Sequence, residues 1–379
     1  MRKVVDSSFA IVSNGFADGP AQALRDFLNL HRSPSVITIF HPLVPESDGG
    51  HEITRYERGE LVHRRYVAAP FLPPYTYLLD PLIPMRIPPV DGWFGFNNMA
   101  AARGLAARRQ SRTGKVAYWC VDFVPNRFGR SPATWLYDLL DRVCCRNVDA
   151  RFELSTAALD GRNKRLRISP SQLAPAHVAP MGAWLRRTPT TPQDGYKSNE
   201  VVYLGHLVER QGVDLLLKAA ALNKSMRLRI IGGGPEEQNL QMLARRLEIT
   251  DRVVFEGFVQ DHKEVERLLA GAAIGVAPYR EDGESFTRFA DPGKLKAYLA
   301  AALPILLTAT PPNAHELAHR AGAEVLPQSE AAWSAAVDSL LTNPSEWQRR
   351  RSMALTAARD FDWEILLPRA LAHLDFEVE

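Results

Sequence analysis

The chain of 379 residues has little cysteine, no long apolar run and almost no net charge. Its cysteines, Cys120, Cys144 and Cys145, form neither an even framework nor a CxxC pair, which argues against a disulfide scaffold or cysteine zinc site and favours a reducing compartment. No window approaches the roughly 18 uninterrupted apolar residues that a membrane-spanning helix needs. The formal net charge is +3, and the short basic runs lack interleaved aromatic residues, so nucleic acid is not expected as a partner.

The N-terminal residues do not resemble a secretory signal, because the apolar stretch at residues 9–12 is too short for its core. We therefore expect a soluble, cytoplasmic protein, with a peripheral membrane contact left open. The length suggests two domains, each large enough to bury a core.

Strand and helix patterns alternate through the first half, which predicts parallel strands in an α/β domain. Residues 53–67 are expected to form a hairpin. Strands are expected at 9–13, 35–40, 93–96, 115–123 and 150–155, with helices at 22–30, 99–109 and 131–143.

A second alternating unit begins at residue 201, after a stretch rich in Pro and Thr at 170–192. Short apolar strands alternate there with helical patterns, which predicts a doubly wound sheet. Strands are expected at 201–204, 228–231, 253–256, 273–278, 304–307 and 324–326.

The most informative segment is 289–307, where a loop leads into a helix and then a buried strand. Asp291 suits the N-cap, Pro292 the first helical position, and Gly293 leaves the backbone open. The amides of Gly293 and Lys294 would then point out of the positive end of the helix, and Lys294 adds a full charge. Such a helix start is an anion site, and phosphate is its natural anion.

The same segment resembles the C-terminal half-site of GT-B glycosyltransferases, especially the retaining family 4 (glycosyl transferases group 1). The family pattern reads roughly Pro-x-Lys-x-x-Glu-Tyr-x-Ala-x-Gly-x-Pro before a strand. Ala297 and Ala302 depart from it at the Glu and Gly positions. The matching residues are Pro292, Lys294, Tyr298, Ala300 and Pro304.

The resemblance covers residues 178–365 well and the first half only in architecture. It implies a GT-B fold, with two Rossmann-like, doubly wound α/β domains facing across a cleft. By this resemblance, residues 1–180 would bind the acceptor, 181–199 would form the linker, and 200–345 would bind the nucleotide-sugar. The C-terminal helices at 346–379 would cross back and pack on the first domain.

The activity implied by the resemblance is transfer of a hexose-type sugar from a nucleoside-diphosphate sugar, with UDP expected, to an acceptor hydroxyl in glycan or glycoconjugate biosynthesis. Retention of configuration is implied in the same way. No cofactor or metal is expected, because protein cations and helix dipoles can stabilise the leaving diphosphate. The sequence Asp-Phe-Asp at 360–362 matches a DxD motif, but it lies at a helix boundary in the tail and is not expected to bind metal. The acceptor stays open: a glycan, a lipid-linked molecule or a small aglycone, for which the apolar stretch 69–91 is a candidate lining.

Lys294 is the main candidate for stabilising the leaving diphosphate, whereas Lys296 is expected to point elsewhere on the helix. In the family an Arg and a Lys hold the diphosphate, and His206 and Gln211 stand at those positions here. His206 remains a candidate contact, but Gln211 cannot replace a charge. The candidates to supply the missing charges are Arg210, Arg280 and Arg288.

Other candidate donor contacts lie in loops that follow the strands of the second domain. The family's paired glutamates fall at Phe289 and Ala297, so part of their work is assigned to Glu281, Glu284 or Asp291. Tyr279 is a candidate for packing on the base or ribose. The remaining candidates are Gly205, Gly233, Phe258, Val259 and Leu295.

Two candidates lie in the first domain. Gly15 matches the loop that GT-B enzymes bring near the transferred sugar, although turn chemistry alone would also explain it. Asp122 ends a buried strand and could either orient an acceptor hydroxyl or cap the following loop.

Two other classes remain open from sequence. The absent glutamates and the absent Arg-Lys pair are compatible with a GT-B homologue that binds a partner without transferring sugar. A non-hydrolysing sugar-nucleotide epimerase shares the fold, but its chemistry needs acidic residues and histidine in the cleft, where Ala297 stands here.

Overall fold

The computed structural model describes residues 1–16, 18–42, 50–68, 87–281 and 286–378. They belong to two compact units. Met1–Pro180 and Trp363–Glu379 form the first unit, and Met181–Asp362 form the second. Residues 346–362, which the sequence assigned to the returning tail, therefore lie in the second unit, and the first unit's C-terminal segment begins at Trp363.

Sixteen strands and twelve α-helices form in the described residues. The strands are β1 (Arg2–Lys3), β2 (Phe9–Asn14), β3 (Val36–His41), β4 (His51–Glu57), β5 (Glu60–Val67), β6 (Val90–Gly95), β7 (Thr113–Cys120), β8 (Ala150–Glu153), β9 (Ala176–Val178), β10 (Glu200–Leu204), β11 (Arg227–Ile231), β12 (Val253–Gly257), β13 (Ile274–Ala277), β14 (Ile305–Leu307), β15 (Glu324–Val325) and β16 (Phe376–Glu377). The helices are α1 (Pro20–Leu30), α2 (Asn98–Arg109), α3 (Pro132–Asn147), α4 (Thr156–Leu166), α5 (Val213–Leu222), α6 (Glu237–Arg246), α7 (His262–Ala270), α8 (Gly293–Ala300), α9 (Ala314–Ala321), α10 (Glu330–Thr342), α11 (Pro344–Ala358) and α12 (Trp363–Ala372).

The first unit is built on an eight-stranded sheet in the order β5-β4-β3-β2-β6-β7-β8-β9. Six of its strands run parallel, and β4 and β5 form the expected antiparallel hairpin at one edge. Separately, β1 pairs with β16, which joins the two ends of the chain within this unit.

Helix α4 and strand β9 do not appear among the sequence-based elements. The buried face of α4 carries Arg162, which pairs with Asp141 and Glu153 inside the first unit. A charged residue at a core position interrupts the helical spacing of apolar residues from which a helix is predicted. Strand β9 has three residues, too few to show alternation.

The second unit is a six-stranded parallel sheet in the order β12-β11-β10-β13-β14-β15. Counted within the unit, this is the 3-2-1-4-5-6 order of a doubly wound fold, so the expectation is confirmed. Strands β13 and β14 are entirely buried and β10 and β11 largely so, while the edge strands β12 and β15 are more exposed; the helices carry the remaining apolar core.

The three cysteines are buried free thiols. Burial raises the pKa of Cys145 to about 12, which leaves that thiol unreactive near neutral pH. No helix in the part of the chain that the structure describes has the length and apolarity to cross a membrane.

Candidate functional site

The carboxyl edge of the second sheet holds the candidate site. Strand β10 lies between β11 and β13, so the strand order reverses on its two sides. Ligands of doubly wound sheets bind in the crevice outside such a switch point. Two segments meet there: the loop that follows β10 and the start of α8.

Lys294 on α8 reaches across this switch point. Its Nζ donates a hydrogen bond to Oε1 of Gln211, 2.7 Å away, in the loop after β10. The same Nζ lies 4.1 Å from the ring centre of Tyr203 and 4.9 Å from that of Tyr279. Burial in this setting holds the pKa of the Lys294 ammonium well below its usual value of 10.5.

The surroundings of Lys294 are polar but uncharged. Burial raises the pKa of both Tyr203 and Tyr279, so both phenols are neutral at ordinary pH. Among the described residues no charged neighbour contributes to the lowered pKa of Lys294. A desolvated cation without a counterion is unfavourable by itself, and an anionic ligand would relieve it.

Gly205 makes room for the Lys294 side chain. A Cβ at this position would lie 2.8 Å from Nζ and 3.1 Å from Cε of Lys294, and the backbone has φ +143°. The loop after β11 packs closely against Gly205, because a Cβ on Gly232 would come within 2.0 Å of the Gly205 carbonyl oxygen. The two glycines let both loops pack backbone to backbone beside the lysine.

Tyr298 anchors α8 beneath the site. Its hydroxyl accepts a hydrogen bond from the Leu204 amide (2.8 Å) and donates one to the Val276 carbonyl (3.1 Å). These partners lie on β10 and β13, so one side chain bridges the switch point. Gly275 lies against the tyrosine ring, where a Cβ would approach within 2.6 Å.

The start of α8 differs from the expected capping arrangement. Pro292 takes the N-cap position without a side-chain hydrogen bond, so the prediction that Asp291 caps the helix is wrong. The Leu295 amide donates to the Pro292 carbonyl at 3.1 Å, and the Leu295 side chain is buried in the core. The amides of Gly293 and Lys294 are therefore the donors that this helix start can offer to a ligand.

Asp291 is buried and committed to protein donors rather than placed as a ligand for a sugar. Its carboxylate accepts hydrogen bonds from the Met181 amide (2.7 Å), the Asn313 side chain (2.8 Å) and the Lys296 ammonium. Burial raises the pKa of Asp291, and the ammonium of Lys296 opposes that shift. Lys296 points elsewhere than Lys294, as expected, but it is itself buried in an ion pair with Asp291.

The three arginines proposed as replacement charges occupy different places. Arg280 donates from Nη2 to Asp214 (2.9 Å) and from Nε to the Glu209 carbonyl (3.0 Å), which fastens it to the start of α5. Arg210 is half-buried in the turn before α5, and its carbonyl accepts from the Arg280 amide. Arg288 is exposed, with its guanidinium over the Phe289 ring.

The other residues proposed to contact the nucleotide-sugar donor differ in solvent exposure. His206 is exposed beside Gly205, and its carbonyl accepts from the Tyr203 hydroxyl. Phe258 is 76% exposed and is available to a flat ligand, whereas Val259 is partly buried against the core. Tyr279 is only 2% exposed beneath Lys294, a position that contradicts direct packing on a base.

The remaining predicted residues lie elsewhere or outside the described chain. Gly233 is half-buried in the loop after β11. In the first unit, Gly15 follows β2 with φ +85° and donates its amide to the His41 carbonyl, while the exposed Asp122 follows β7. Glu284 and the apolar residues 69–86 lie outside the described residues.

Two site residues were not recognised from the sequence. Gln211 was discounted because it carries no charge, yet its Oε1 accepts from both Lys294 and the Tyr203 hydroxyl (3.1 Å). Tyr203 supplies the ring beneath the ammonium. A polar aromatic residue near the end of a buried strand, two residues before a glycine, was the available signal.

Within the described ranges, no group of three His, Cys, Asp or Glu side chains is arranged to hold a metal ion. The expectation that no metal is required stays a prediction.

Comparison with known proteins finds a family match within the second unit. Residues 198–343 match the family model described as "Glycosyl transferases group 1". The chain matches no curated protein sequence.

Solved structures match over nearly the whole chain. Sucrose-phosphate synthase from Thermosynechococcus elongatus is 14% identical with a TM-score of 0.68, covering 97% of this chain and 98% of its own. HepE from Anabaena, in complex with UDP and glucose, is 14% identical with a TM-score of 0.66, covering 97% and 99%. WaaG, a glycosyltransferase involved in lipopolysaccharide biosynthesis, is 16% identical with a TM-score of 0.66 over the same shares. At these identities the likeness shows the fold, which is GT-B.

Proposed function

We propose that the chain, whose residues 198–343 match the glycosyl transferases group 1 family model, transfers a sugar from a nucleoside-diphosphate sugar to an acceptor hydroxyl. Lys294 carries the proposal. It is a half-buried lysine at the switch point of the sheet, in contact with a neutral amide and two neutral tyrosines. A diphosphate is the anion that such a position in a nucleotide-binding fold would receive.

In the proposed reaction, the bond between the anomeric carbon and the diphosphate oxygen breaks, and negative charge grows on the departing diphosphate. Lys294 and the amides at the start of α8 stabilise that charge. The acceptor oxygen forms the new bond to the anomeric carbon, and its proton passes to the leaving phosphate oxygen. This route needs no separate base and would retain the anomeric configuration.

UDP is the proposed nucleotide. HepE, which shares the fold, has been solved with UDP and with UDP-glucose. In this chain the exposed Phe258 ring lies after β12, two strands from β10, where a base can stack.

UDP is expected to raise the melting temperature of the protein, whereas NAD is not. At a concentration about 100 times Kd, UDP should add roughly 2.7 kcal/mol to the free energy of unfolding. A thermal-shift panel of nucleotides measures this and also identifies the base. A panel in which no nucleoside diphosphate shifts the melting temperature would contradict the proposal.

The same sample separates the alternatives when UDP-sugars are added. Transfer or hydrolysis releases UDP, epimerisation changes the sugar without release, and a pure binding protein does neither.

Turnover is expected to survive chelation by EDTA, because Lys294 and the α8 amides take the place of a metal at the diphosphate. UDP release from a UDP-sugar, assayed before and after chelation, tests this. Loss of turnover that magnesium or manganese restores would show that a metal site has been missed.

The lowered pKa of Lys294 predicts that UDP binding takes up protons. A bound diphosphate favours the ammonium, so the pKa of Lys294 rises on binding. Between the lowered value and the raised one, the complex holds more protons than the free protein, and affinity falls as pH rises. Calorimetry above neutral pH, in buffers of different ionisation enthalpy, measures the uptake. Equal affinity at neutral and alkaline pH would refute this prediction.

A further inference from the structure

Helix α3 in the first unit exposes an apolar face to solvent. Trp135 is 68% exposed, Leu136 and Leu139 are each 41% exposed, and Val143 is 39% exposed. At about 100° per residue these four side chains fall within one arc of roughly 100° on the helix. The opposite face packs into the unit through Tyr137, Cys144 and Cys145, so the exposed residues are not its core-facing side.

The charges around this face have one sign. The exposed Arg142 and Arg146 lie within or beside the same arc, and the exposed Arg130 precedes the helix. Both carboxylates of α3 are paired with arginines of α4: Asp138 with Arg165, and Asp141 with Arg162. The surface therefore presents apolar side chains flanked by guanidinium groups, with its acidic residues neutralised.

We propose that this surface, residues 135, 136, 139 and 143 with Arg130, Arg142 and Arg146, docks the protein on an anionic lipid membrane. Tryptophan partitions to the interface between headgroups and acyl chains, and leucine and valine bury in the acyl boundary. The arginines meet the negative surface potential of the leaflet. The combination of exposed apolar side chains with flanking arginines fits an anionic lipid surface.

The position of α3 links docking to the acceptor, and this step rests on the proposed function. Strand β7 ends at Cys120 and α3 begins at Pro132, so Trp135 lies near the carboxyl edge of the first sheet. Gly15 and Asp122, the acceptor-side candidates, follow strands of that same edge. A protein docked through α3 would meet an acceptor hydroxyl carried by a lipid at the membrane surface, so we assign the acceptor to the class of lipid-linked molecules.

Co-sedimentation with vesicles tests the docking surface. The full chain should sediment with vesicles of phosphatidylglycerol and phosphatidylcholine, and much less with phosphatidylcholine alone or at high salt. The double substitution Trp135→Ser with Leu139→Ser should weaken binding by roughly a hundredfold. Arg142→Ala with Arg146→Ala should weaken it roughly tenfold or more, and only on anionic vesicles.

A matched control removes exposed apolar residues of the second unit, Leu222→Ser with Met242→Ser, which are 61% and 51% exposed. This control should sediment like the unaltered protein. Every variant should keep its UDP-induced thermal shift, which shows that it is folded and separates failure of docking from failure of the proposed function. Absence of binding to anionic vesicles, or equal binding by the α3 variants, would overturn the proposal. Concentration-dependent self-association that Trp135→Ser abolishes would assign the face to a second copy of the chain instead.

Discussion

Replacing Lys294 with alanine is expected to lower the rate of UDP release from a UDP-sugar by roughly 100- to 1,000-fold. The ammonium faces the point where charge would grow on the departing diphosphate, and it is already desolvated and positioned by Gln211. Loss of one preorganised group that stabilises such charge typically costs this much in rate. Stability should not fall, because the variant removes a desolvated cation for which no charged partner is found in the described residues.

Lys224 provides the matched control. It is an exposed lysine in the turn between α5 and β11, at the opposite edge of the same sheet. Lys224→Ala should leave both the rate and the melting temperature unchanged. Gln211→Leu should give an intermediate loss of rate, because the ammonium stays but loses its hydrogen-bond acceptor. If Lys224→Ala impairs turnover as much as Lys294→Ala, or if neither does, the anion site lies elsewhere.

The sequence was sufficient to single out Lys294 and the start of α8 as the proposed anion site, because the features that suggest it are local. A loop, a glycine and a lysine lie at the start of a short helix that leads into an apolar strand, and each feature is read directly from neighbouring residues. The doubly wound sheet of the second unit followed from regular alternation of apolar strands with helices. Even a departure from the family pattern proved conservative: Ala302 adopts the left-handed backbone, φ +62°, that glycine at that position would favour.

The contacts that position the site could not be predicted because they join residues far apart in the chain. Gln211 lies 83 residues from Lys294, and only the folded sheet brings the amide to the ammonium. Asp291 was read as a cap because its position in the sequence permits one. Its three donors come from residues 181, 296 and 313, and no local pattern reveals that they converge. Helix α4 was missed for a related reason, since a buried ion pair replaces its apolar stripe.

Lys296→Ala is expected to destabilise the second unit by about 3–5 kcal/mol, in contrast to Lys294→Ala. Removing one partner of a buried ion pair leaves the other charge buried and uncompensated. The Asp291 carboxylate would keep the Met181 amide and the Asn313 side chain as donors, but would lose its cation. For a unit of this size, each kcal/mol corresponds to roughly 2–4 °C in melting temperature. Thermal unfolding, with the buried Trp333 and Trp347 as fluorescent reporters, measures the loss.

The structural effect of Lys296→Ala should be largest where the chain enters and leaves the second unit. Met181 donates to Asp291, Ala183 donates to the Phe361 carbonyl at 2.9 Å, and the Lys296 ammonium lies 4.7 Å from the Phe361 ring centre. The pair therefore joins α8 to both connecting segments. The double substitution Asp291→Asn with Lys296→Met removes both charges, and its amide oxygen can still accept from Met181. It should recover much of the stability lost in Lys296→Ala, so the two effects are not additive. If the double variant is destabilised by the full sum of the two single changes, the two residues stabilise the unit independently. Lys224→Ala is the control for the loss of an exposed lysine side chain.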